Sequence, residues 1–412
     1  MANINRRSFL NASILGSLGA LSTVAYANAQ DRPNVQGFDQ TETDIDESQV
    51  WKPISDRKIR VGIAGYGACQ FGAQFGFQNH PNVEVVAVTD LIPERCAGLA
   101  KACRCEKTYE SLEEMVKDDN IEAVFVATDA PHHVDHVVEA LKKGKHVACA
   151  VPAFWGGTPE QADRLYETVK STGLKYGLFE TSAYHDEVYA ARVIYKAGGF
   201  GEIVYVEGEY LHYAPVSTDS YKNWRVGMPV MWYPTHAVGY YTCVTFGSLT
   251  EVSAMGKPST NFYRQPENNA YGNKYGTEVG LFRTSEGGMA RFLVSFDTPG
   301  WSGEVGRMRG QLGSLGEMSR FGGYHGAVEE GQAIVSKLNT RKPALPPSVD
   351  SGGHGGSHGY LMNNFVESIL KDEQPLVNVA CALNTTMCGV VAHQSVLRDG
   401  ELMKIPQYKM WD

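Results

Sequence analysis

The chain has 412 residues, of which 43% are hydrophobic and 20% are charged, enough for two domains with substantial cores. Lysine and arginine number 37 against 46 aspartates and glutamates, which gives a formal charge of −9. This acidic balance argues against nucleic acid or an anionic membrane surface as the partner and favours a small molecule.

The first thirty residues have the pattern of an export signal. A paired arginine in Arg6-Arg7-Ser8-Phe9-Leu10 precedes a short apolar run, and Ala27-Asn28-Ala29 resembles a cleavage site. The run is too short to span a bilayer, so we expect no stable membrane insertion. The paired arginine favours a twin-arginine signal over residues 1–29, with an ordinary Sec signal as the alternative. We therefore expect a periplasmic protein that folds before export.

Residues 30–57 are polar and acidic and predict an N-terminal arm. After residue 58 the pattern changes, because short apolar runs alternate with segments of helical periodicity. Between the last two runs, Val134, Val137, Val138 and Leu141 recur at helical spacing. Strands that alternate with amphipathic helices predict an α/β fold with a doubly wound parallel sheet over residues 58–179. The four predicted strands are 61–65, 83–90, 123–128 and 146–151.

The second half of the chain, residues 180–412, is richer in strand patterns. Ala290, Phe292, Val294 and Phe296 alternate with more polar residues, which predicts a strand with one apolar face. Similar strands are expected at 202–213, 249–256 and 276–284, and helices near 359–372 and 379–398. The abundance of glycine, proline and serine between residues 300 and 357 predicts long loops there.

A dinucleotide site is predicted at the end of the first strand. Gly65-Tyr66-Gly67 permits a tight turn whose backbone N–H groups can approach a pyrophosphate, although Gln70 replaces the usual third glycine. Asp90 ends the second strand 25 residues after Gly65, where an acid accepts hydrogen bonds from the adenosine ribose. No basic residue follows it directly, which favours NAD over NADP. A nucleotide fold that has lost its nucleotide is the alternative.

Four segments together resemble the Gfo/Idh/MocA superfamily over residues 58–405: Val61 to Gly67, Val88 to Asp90, Gly144 to Val147, and Gly201 to Val204. The resemblance implies an N-terminal Rossmann domain, a C-terminal α/β domain with a large open, mainly antiparallel sheet, and a homo-oligomer formed through that sheet. Dehydrogenases of the superfamily carry a catalytic lysine in a Glu-Lys-Pro triplet. Ala150-Val151-Pro152 stands in its place here, so the proton chemistry must use other residues.

A narrower likeness is to glycoside hydrolase family 109, NAD-dependent retaining glycosidases that also have valine in place of the lysine. The glutamate of that family before Val-Pro is Ala150 here, which indicates a sister group. The matching segments are Leu178 to Tyr184, Trp224-Arg225, Tyr233 to His236, and His354-Gly355-Gly356.

The resemblance implies an enzyme that removes hydride from a pyranose ring, at C3, with NAD. The ketone acidifies the C2 hydrogen, the C1 substituent is eliminated, water adds, and the hydride returns. We therefore predict redox-neutral cleavage of a small-molecule sugar or glycoside. One alternative is a net oxidoreductase that forms a 3-keto sugar. Another is a non-catalytic sugar-binding protein that retains NAD.

Four residues are the catalytic candidates. His236 is expected to exchange the hydroxyl proton, because the ordinary pKa of histidine is about 6.5. Tyr233 would share a helical face with His236, and Tyr184 would approach from the loop after a strand. Arg225 would help a tyrosine ionise or bind sugar hydroxyls.

The remaining candidates border the cofactor or the substrate. His133 matches a histidine common in the superfamily, and Glu180 is expected at the nicotinamide ribose or a sugar hydroxyl. Trp224 and His354 are the predicted substrate-binding residues. His132 and His136 lack an evident third ligand, so we predict no metal. The predicted cofactor-binding residues are Gly65, Tyr66, Gly67, Asp90, Thr128, His133, Pro152 and Glu180.

Overall fold

The computed structural model describes residues 50–67, 69–156, 158–316 and 326–411. The predicted export signal and most of the predicted arm lie outside these residues. Within the described part, no helix is long and apolar enough to cross a membrane.

The first half of the chain forms the predicted parallel sheet, with six strands in the order β3-β2-β1-β4-β5-β6. All of its neighbouring strands pair in parallel. The central strands β1, β4 and β5 are apolar and almost wholly buried, because helices cover both faces of such a sheet. The strands are β1 Ile59–Ala64, β2 Val83–Thr89, β3 Thr108–Tyr109, β4 Ala123–Val126, β5 His146–Cys149 and β6 Tyr176–Leu178.

The second sheet has seven strands in the order β12-β11-β7-β10-β9-β8-β13. Only the central pair β7 and β10 runs parallel in this sheet; the other pairings are antiparallel. The predicted α/β fold with a second, mainly antiparallel sheet is thus confirmed. The strands are β7 Ile203–Leu211, β8 Leu249–Pro258, β9 Tyr275–Thr284, β10 Met289–Ser295, β11 Gly303–Gly310, β12 Ser314–Leu315 and β13 Met403–Lys404.

Helices pack against both sheets, and the two predicted closing helices are present. One helix beside the second sheet, α7, is buried at every residue. The helices are α1 Phe71–Gln74, α2 Pro93–Cys103, α3 Leu112–Met115, α4 His133–Lys142, α5 Pro159–Thr172, α6 Asp186–Lys196, α7 Thr235–Thr245, α8 Gly326–Val335, α9 Gly353–Gly356, α10 His358–Lys371 and α11 Val379–Val396.

The prediction of long loops over residues 300–357 is wrong in part, because β11, β12 and α8 lie there. Strand β11 has no run of large apolar residues, and its backbone pairing with β7 defines it instead. Its glycines allow close packing against α7: a Cβ atom on Gly306 would lie 2.2 Å from the ring of Tyr240. The glycines of β11 therefore indicate close approach of this strand to α7 rather than a loop.

Candidate active site

Two adjoining clefts lie at the carboxyl ends of the parallel strands. The outer cleft is lined by Gly65, Asp90, Ile92 and His136, among others. The inner cleft is lined by Tyr210, Arg225, Tyr233, His236 and His354, and reaches the second sheet. Both walls include Gly67, Thr128 and Asp129, so the two clefts meet there. Ligands of open α/β sheets bind at this edge.

The glycine turn after β1 leaves room for a ligand and for close packing of the backbone. Gly65 has φ +94°, and a Cβ atom there would lie 2.4 Å from the carbonyl oxygen of Ala127. A Cβ atom on Gly67 would meet no described atom within 4 Å, so this side of the turn is open. Gly72 takes over the packing role of the missing third glycine, because a Cβ atom there would lie 2.3 Å from the oxygen of Gly65. The turn therefore fits a dinucleotide pyrophosphate.

Asp90 anchors this glycine turn. Its Oδ2 accepts hydrogen bonds from the backbone N–H groups of Tyr66 at 2.8 Å and Gly67 at 3.3 Å. Its Oδ1 accepts one from Ile92 at 2.9 Å. A carboxylate oxygen has a second lone pair, so the contact with the ribose stays a prediction.

His133 and Pro152 lie behind the clefts rather than in their walls. The ring of His133 is 1% exposed; Nδ1 lies 2.8 Å from the oxygen of Pro152 and Nε2 lies 3.0 Å from that of Thr128. This ring connects the end of β4 to the segment after β5. The expected contact of His133 and Pro152 with the cofactor is therefore corrected: His133 holds these two backbone segments in position. Ala150 and Val151, which precede Pro152, line the inner cleft instead.

Tyr184 is also placed away from the clefts, which corrects its expected catalytic role. Its ring stacks on Tyr360 at 5.4 Å and lies 5.3 Å from the guanidinium of Arg192. Burial raises the pKa of Tyr184, so the phenol stays neutral near pH 7.

His236 lines the inner cleft and lies beside two buried carboxylates. It is in the first turn of α7, and its Nδ1 is 2.9 Å from Glu180 Oε1 and 3.4 Å from Glu304 Oε1. Glu180, wholly buried after β6, accepts from the backbone N–H of Ser182 at 2.9 Å. The hydroxyl of Ser182 donates to Glu304 at 2.6 Å, so one residue fixes both carboxylates. Glu180 therefore orients His236 rather than binding ribose or sugar directly.

The two carboxylates determine the charge of His236. Burial alone would lower the pKa of His236, but the negative charges of Glu180 and Glu304 raise it to about 9. Burial would likewise raise the pKa of Glu180, but the charge of His236 lowers it to about 2. With Nδ1 donating to Glu180, Nε2 is the nitrogen left for the cleft. The expectation of an ordinary pKa is thus corrected, because His236 is charged at neutral pH.

An aromatic and cationic group forms the wall beside His236. The ring of Tyr233 lies 5.5 Å from that of His236, but Tyr233 precedes α7 and does not share its face. The guanidinium of Arg225 lies 4.3 Å from the ring of Trp224 and 5.7 Å from that of Tyr233. The indole N–H of Trp224 donates to Asp129 at 2.9 Å. Burial raises the pKa of Tyr233 more than Arg225 lowers it, so Tyr233 is a hydrogen-bond donor.

His354 closes the inner cleft on the side of the glycine-rich segment Gly352 to Gly356. Its ring stacks on that of His236, with centroids 6.3 Å apart and an angle of 20° between planes. Sequence reasoning placed His354 near the substrate but missed Glu304 and Asp129. Glu304 had no detectable signal, because it lies on a strand whose glycines suggested a loop. Tyr210 belongs to a region rich in aromatic residues, which is a weak signal.

Glu180, His236 and Glu304 each place a donor atom within 4.8 Å of the others, a spacing that a metal site also requires. The 2.9 Å contact between His236 and Glu180 is a hydrogen-bond distance, and Ser182 donates to both carboxylates. A hydrogen-bonded ion pair therefore accounts for this cluster. The absence of a metal stays a prediction.

Comparison with known proteins connects this geometry to a family. Residues 59–179 match the oxidoreductase family GFO_IDH_MocA, described as an NAD-binding Rossmann fold. The chain is 33% identical over 178 residues to glycosyl hydrolase family 109 protein 1 of Bacteroides thetaiotaomicron; the match covers 41% of this chain and 38% of that relative. It is 22% identical to a glycosyl hydrolase family 109 protein of Solibacter usitatus, over 85% of this chain and 88% of that protein.

Solved structures share the fold across most of the chain. Levoglucosan dehydrogenase, in a complex with NADH and levoglucosan, is similar with a TM-score of 0.69 and 16% identity, over 85% of this chain and 100% of that one. Scyllo-inositol dehydrogenase from Lactobacillus casei, with NAD(H) and scyllo-inositol, is similar with a TM-score of 0.64 and 16% identity, over 84% of this chain and 99% of that one. The comparisons thus agree on an NAD-binding Rossmann domain, which matches the GFO_IDH_MocA family model over residues 59–179.

Proposed function

We propose that the protein is an exported NAD-dependent enzyme that cleaves a glycoside without net oxidation or reduction. The observation that carries the proposal is His236, paired with Glu180 and Glu304, in a cleft that adjoins the glycine turn. Val151 lines the same cleft and can neither donate nor accept a proton. The curated relatives named glycosyl hydrolase family 109, and the neighbours solved with NAD(H) and a carbohydrate-like ligand, support this choice.

Each part of the site has a defined task in this proposal. The glycine turn would hold NAD, which would supply an acceptor for the hydride from C3 of a pyranose and a donor for its return. His236 in its neutral form takes the C3 hydroxyl proton at Nε2, and the two carboxylates stabilise the imidazolium that results. The new N–H group then donates to the carbonyl oxygen. Tyr233 and Arg225 are donors for other sugar oxygens, and Trp224 packs against the ring.

The test uses the purified mature protein with aryl glycosides in deuterated buffer. We expect turnover without added NAD and deuterium at C2 of the released sugar. His236→Ala and Tyr233→Phe should reduce turnover by about 100-fold or more while the content of bound NAD stays unchanged. Wild-type rates in His236→Ala would overturn the proposal.

The same measurements separate the two alternatives. A net oxidoreductase would accumulate reduced nicotinamide or a 3-keto sugar, and would require an electron acceptor to continue. A sugar-binding protein that retains NAD would gain thermal stability with its ligand but form no product.

We also propose that residues 1–29 direct twin-arginine export. A folded reporter fused to this segment should reach the periplasm, and replacement of Arg6 and Arg7 by lysine should keep it in the cytoplasm. Export of the lysine variant through the Sec route would overturn this assignment.

We further propose a homo-oligomer formed through the second sheet. Its outer face carries exposed apolar side chains on four adjacent strands, namely Val204, Met255, Leu281 and Met289. Light scattering should give a mass above 45.1 kDa, and Leu281→Glu should reduce it. A monomeric wild-type protein would contradict this.

A further inference from the structure

A pair of histidines beside His236 has no role in the reaction as described so far. We propose that His354 Nε2 is the base that removes the C2 proton of the sugar once C3 is a ketone. The assignment rests on the proposed function and adds a residue to it. Tyr184, Tyr210 and Tyr233 are not suited to the task, because Tyr184 lies outside the cleft and burial raises the pKa of Tyr210 and Tyr233.

A hydrogen bond connects His354 to His358. Its Nδ1 lies 2.8 Å from His358 Nε2, a hydrogen-bond distance. One of these two nitrogens donates to the other, and in this proposal the shared proton is on His354 Nδ1, with His358 Nε2 accepting. His354 Nε2 therefore keeps its lone pair. Since His354 lines the inner cleft, this is the ring nitrogen available to a substrate.

The backbone is built to hold this pair. His354 has φ 48°, a left-handed conformation that is costly for a residue other than glycine and that recurs at functional sites. A Cβ atom on Gly353 would lie 3.0 Å from the ring of His358, and one on Gly355 would lie 3.0 Å from the ring of His185. The glycines thus let the rings pack closely. The hydroxyl of Ser357 donates to the oxygen of His354 at 2.7 Å and fixes the turn.

The surroundings keep His354 neutral beside a charged neighbour. Burial and the charge of His236 together lower the pKa of His354 to about 4, against the opposing charge of Glu180. Burial also lowers the pKa of His358 to about 4. The other titratable groups that act on His354 are His185 and His212. The cleft therefore presents one imidazolium and one neutral imidazole, which suits an acid and a base at the same pH.

The proton transfer balances without an added reactant other than water. The C2–H bond breaks, its proton goes to His354 Nε2, and its electron pair forms the C1=C2 bond. The C1–O bond breaks, and the departing oxygen takes the proton from His354, because two adjacent imidazolium rings repel each other. Water then adds its hydroxyl to C1 and, through His354, a proton to C2.

The experiment isolates this step with a 3-keto sugar that has no leaving group at C1. Full-length mature protein should exchange the C2 hydrogen of this probe for deuterium, as followed by proton NMR. His354→Gln should slow the exchange by about 100-fold or more. His146→Gln is the matched control, because His146 begins β5 at the opposite end of the parallel sheet, and it should exchange the probe at the wild-type rate.

A second measurement does not depend on activity or on folding of a variant. Nitrogen-15 NMR of histidine-labelled wild-type protein at pH 7 should find His354 with a protonated Nδ1 and a bare Nε2. A protonated Nε2 on His354 would overturn the assignment, and so would exchange at the wild-type rate in folded His354→Gln. In either case, cleavage of glycosides by the wild-type protein would still support the proposed function. If the wild-type protein retains NAD but neither cleaves glycosides nor exchanges the probe, both the proposed function and the role of His354 are overturned.

Discussion

Replacing Glu304 by glutamine should remove one of the two negative charges that hold a proton on His236. The change keeps the shape of the side chain and its acceptor for Ser182, and it eliminates the charge 3.4 Å from His236 Nδ1. Glu180 stays in place at 2.9 Å. The substitution therefore tests electrostatics with little change in packing.

The size of the effect follows from Coulomb's law. At an effective dielectric constant of about 20, two unit charges separated by the observed 3.4 Å attract each other by roughly 5 kcal/mol. One pKa unit corresponds to about 1.4 kcal/mol, so the upper limit of the shift is about 3.5 units. We expect the pKa of His236 to fall from about 9 to near or below its ordinary value of 6.5.

Two measurements check this shift. NMR titration of the His236 ring gives its pKa directly in wild type and in Glu304→Gln. The single-turnover rate of nicotinamide reduction by a glycoside should rise with pH through about 9 in the wild type, because the neutral imidazole takes the hydroxyl proton. In the variant, this rise should occur at least about 1.5 units lower. An unchanged titration in folded Glu304→Gln would refute the electrostatic reasoning.

Four further predictions concern the glycine turn, the charged cluster around His236, and Tyr184. Gly65→Ala should lose bound NAD, and its free energy of unfolding in denaturant should fall by about 1–3 kcal/mol, because the added Cβ would contact the oxygen of Ala127. Full retention of NAD would contradict this. Tyr184→Phe should keep turnover within about twofold, since burial already prevents ionisation. The raised pKa of His236 predicts that the free energy of unfolding falls as pH rises from 6.5 to about 9, and that this fall is absent in His236→Gln. Treatment with a chelator should leave turnover unchanged, whereas a loss that zinc restores would establish a metal.

The fold could be predicted because its signals are local. The apolar runs of β1, β4 and β5 and the alternation in β10 depend on burial pattern alone. Strand β11 escaped prediction because pairing and close approach define it, and neither leaves a periodic trace in one sequence. The glycine turn after β1 could be predicted for the same reason, because its glycines are neighbours in the sequence.

The site was predicted less completely, because its chemistry arises from contacts across the chain. His236, Tyr233, Arg225 and His354 were placed together through resemblance, and the structure brings them to one cleft. Tyr184 matched a motif equally well, yet its ring packs away from that cleft. The charge of His236 could not be predicted, because it depends on Glu180 and Glu304, which are both distant from it in sequence.

The three members of the charged cluster come from separate parts of the chain: Glu180 after β6, His236 on α7 and Glu304 on β11. They meet only where both sheets have formed and joined, so the charged cluster requires the complete fold. A truncated or half-unfolded chain carries only an ordinary imidazole. Catalytic competence would therefore report that the whole polypeptide has matured.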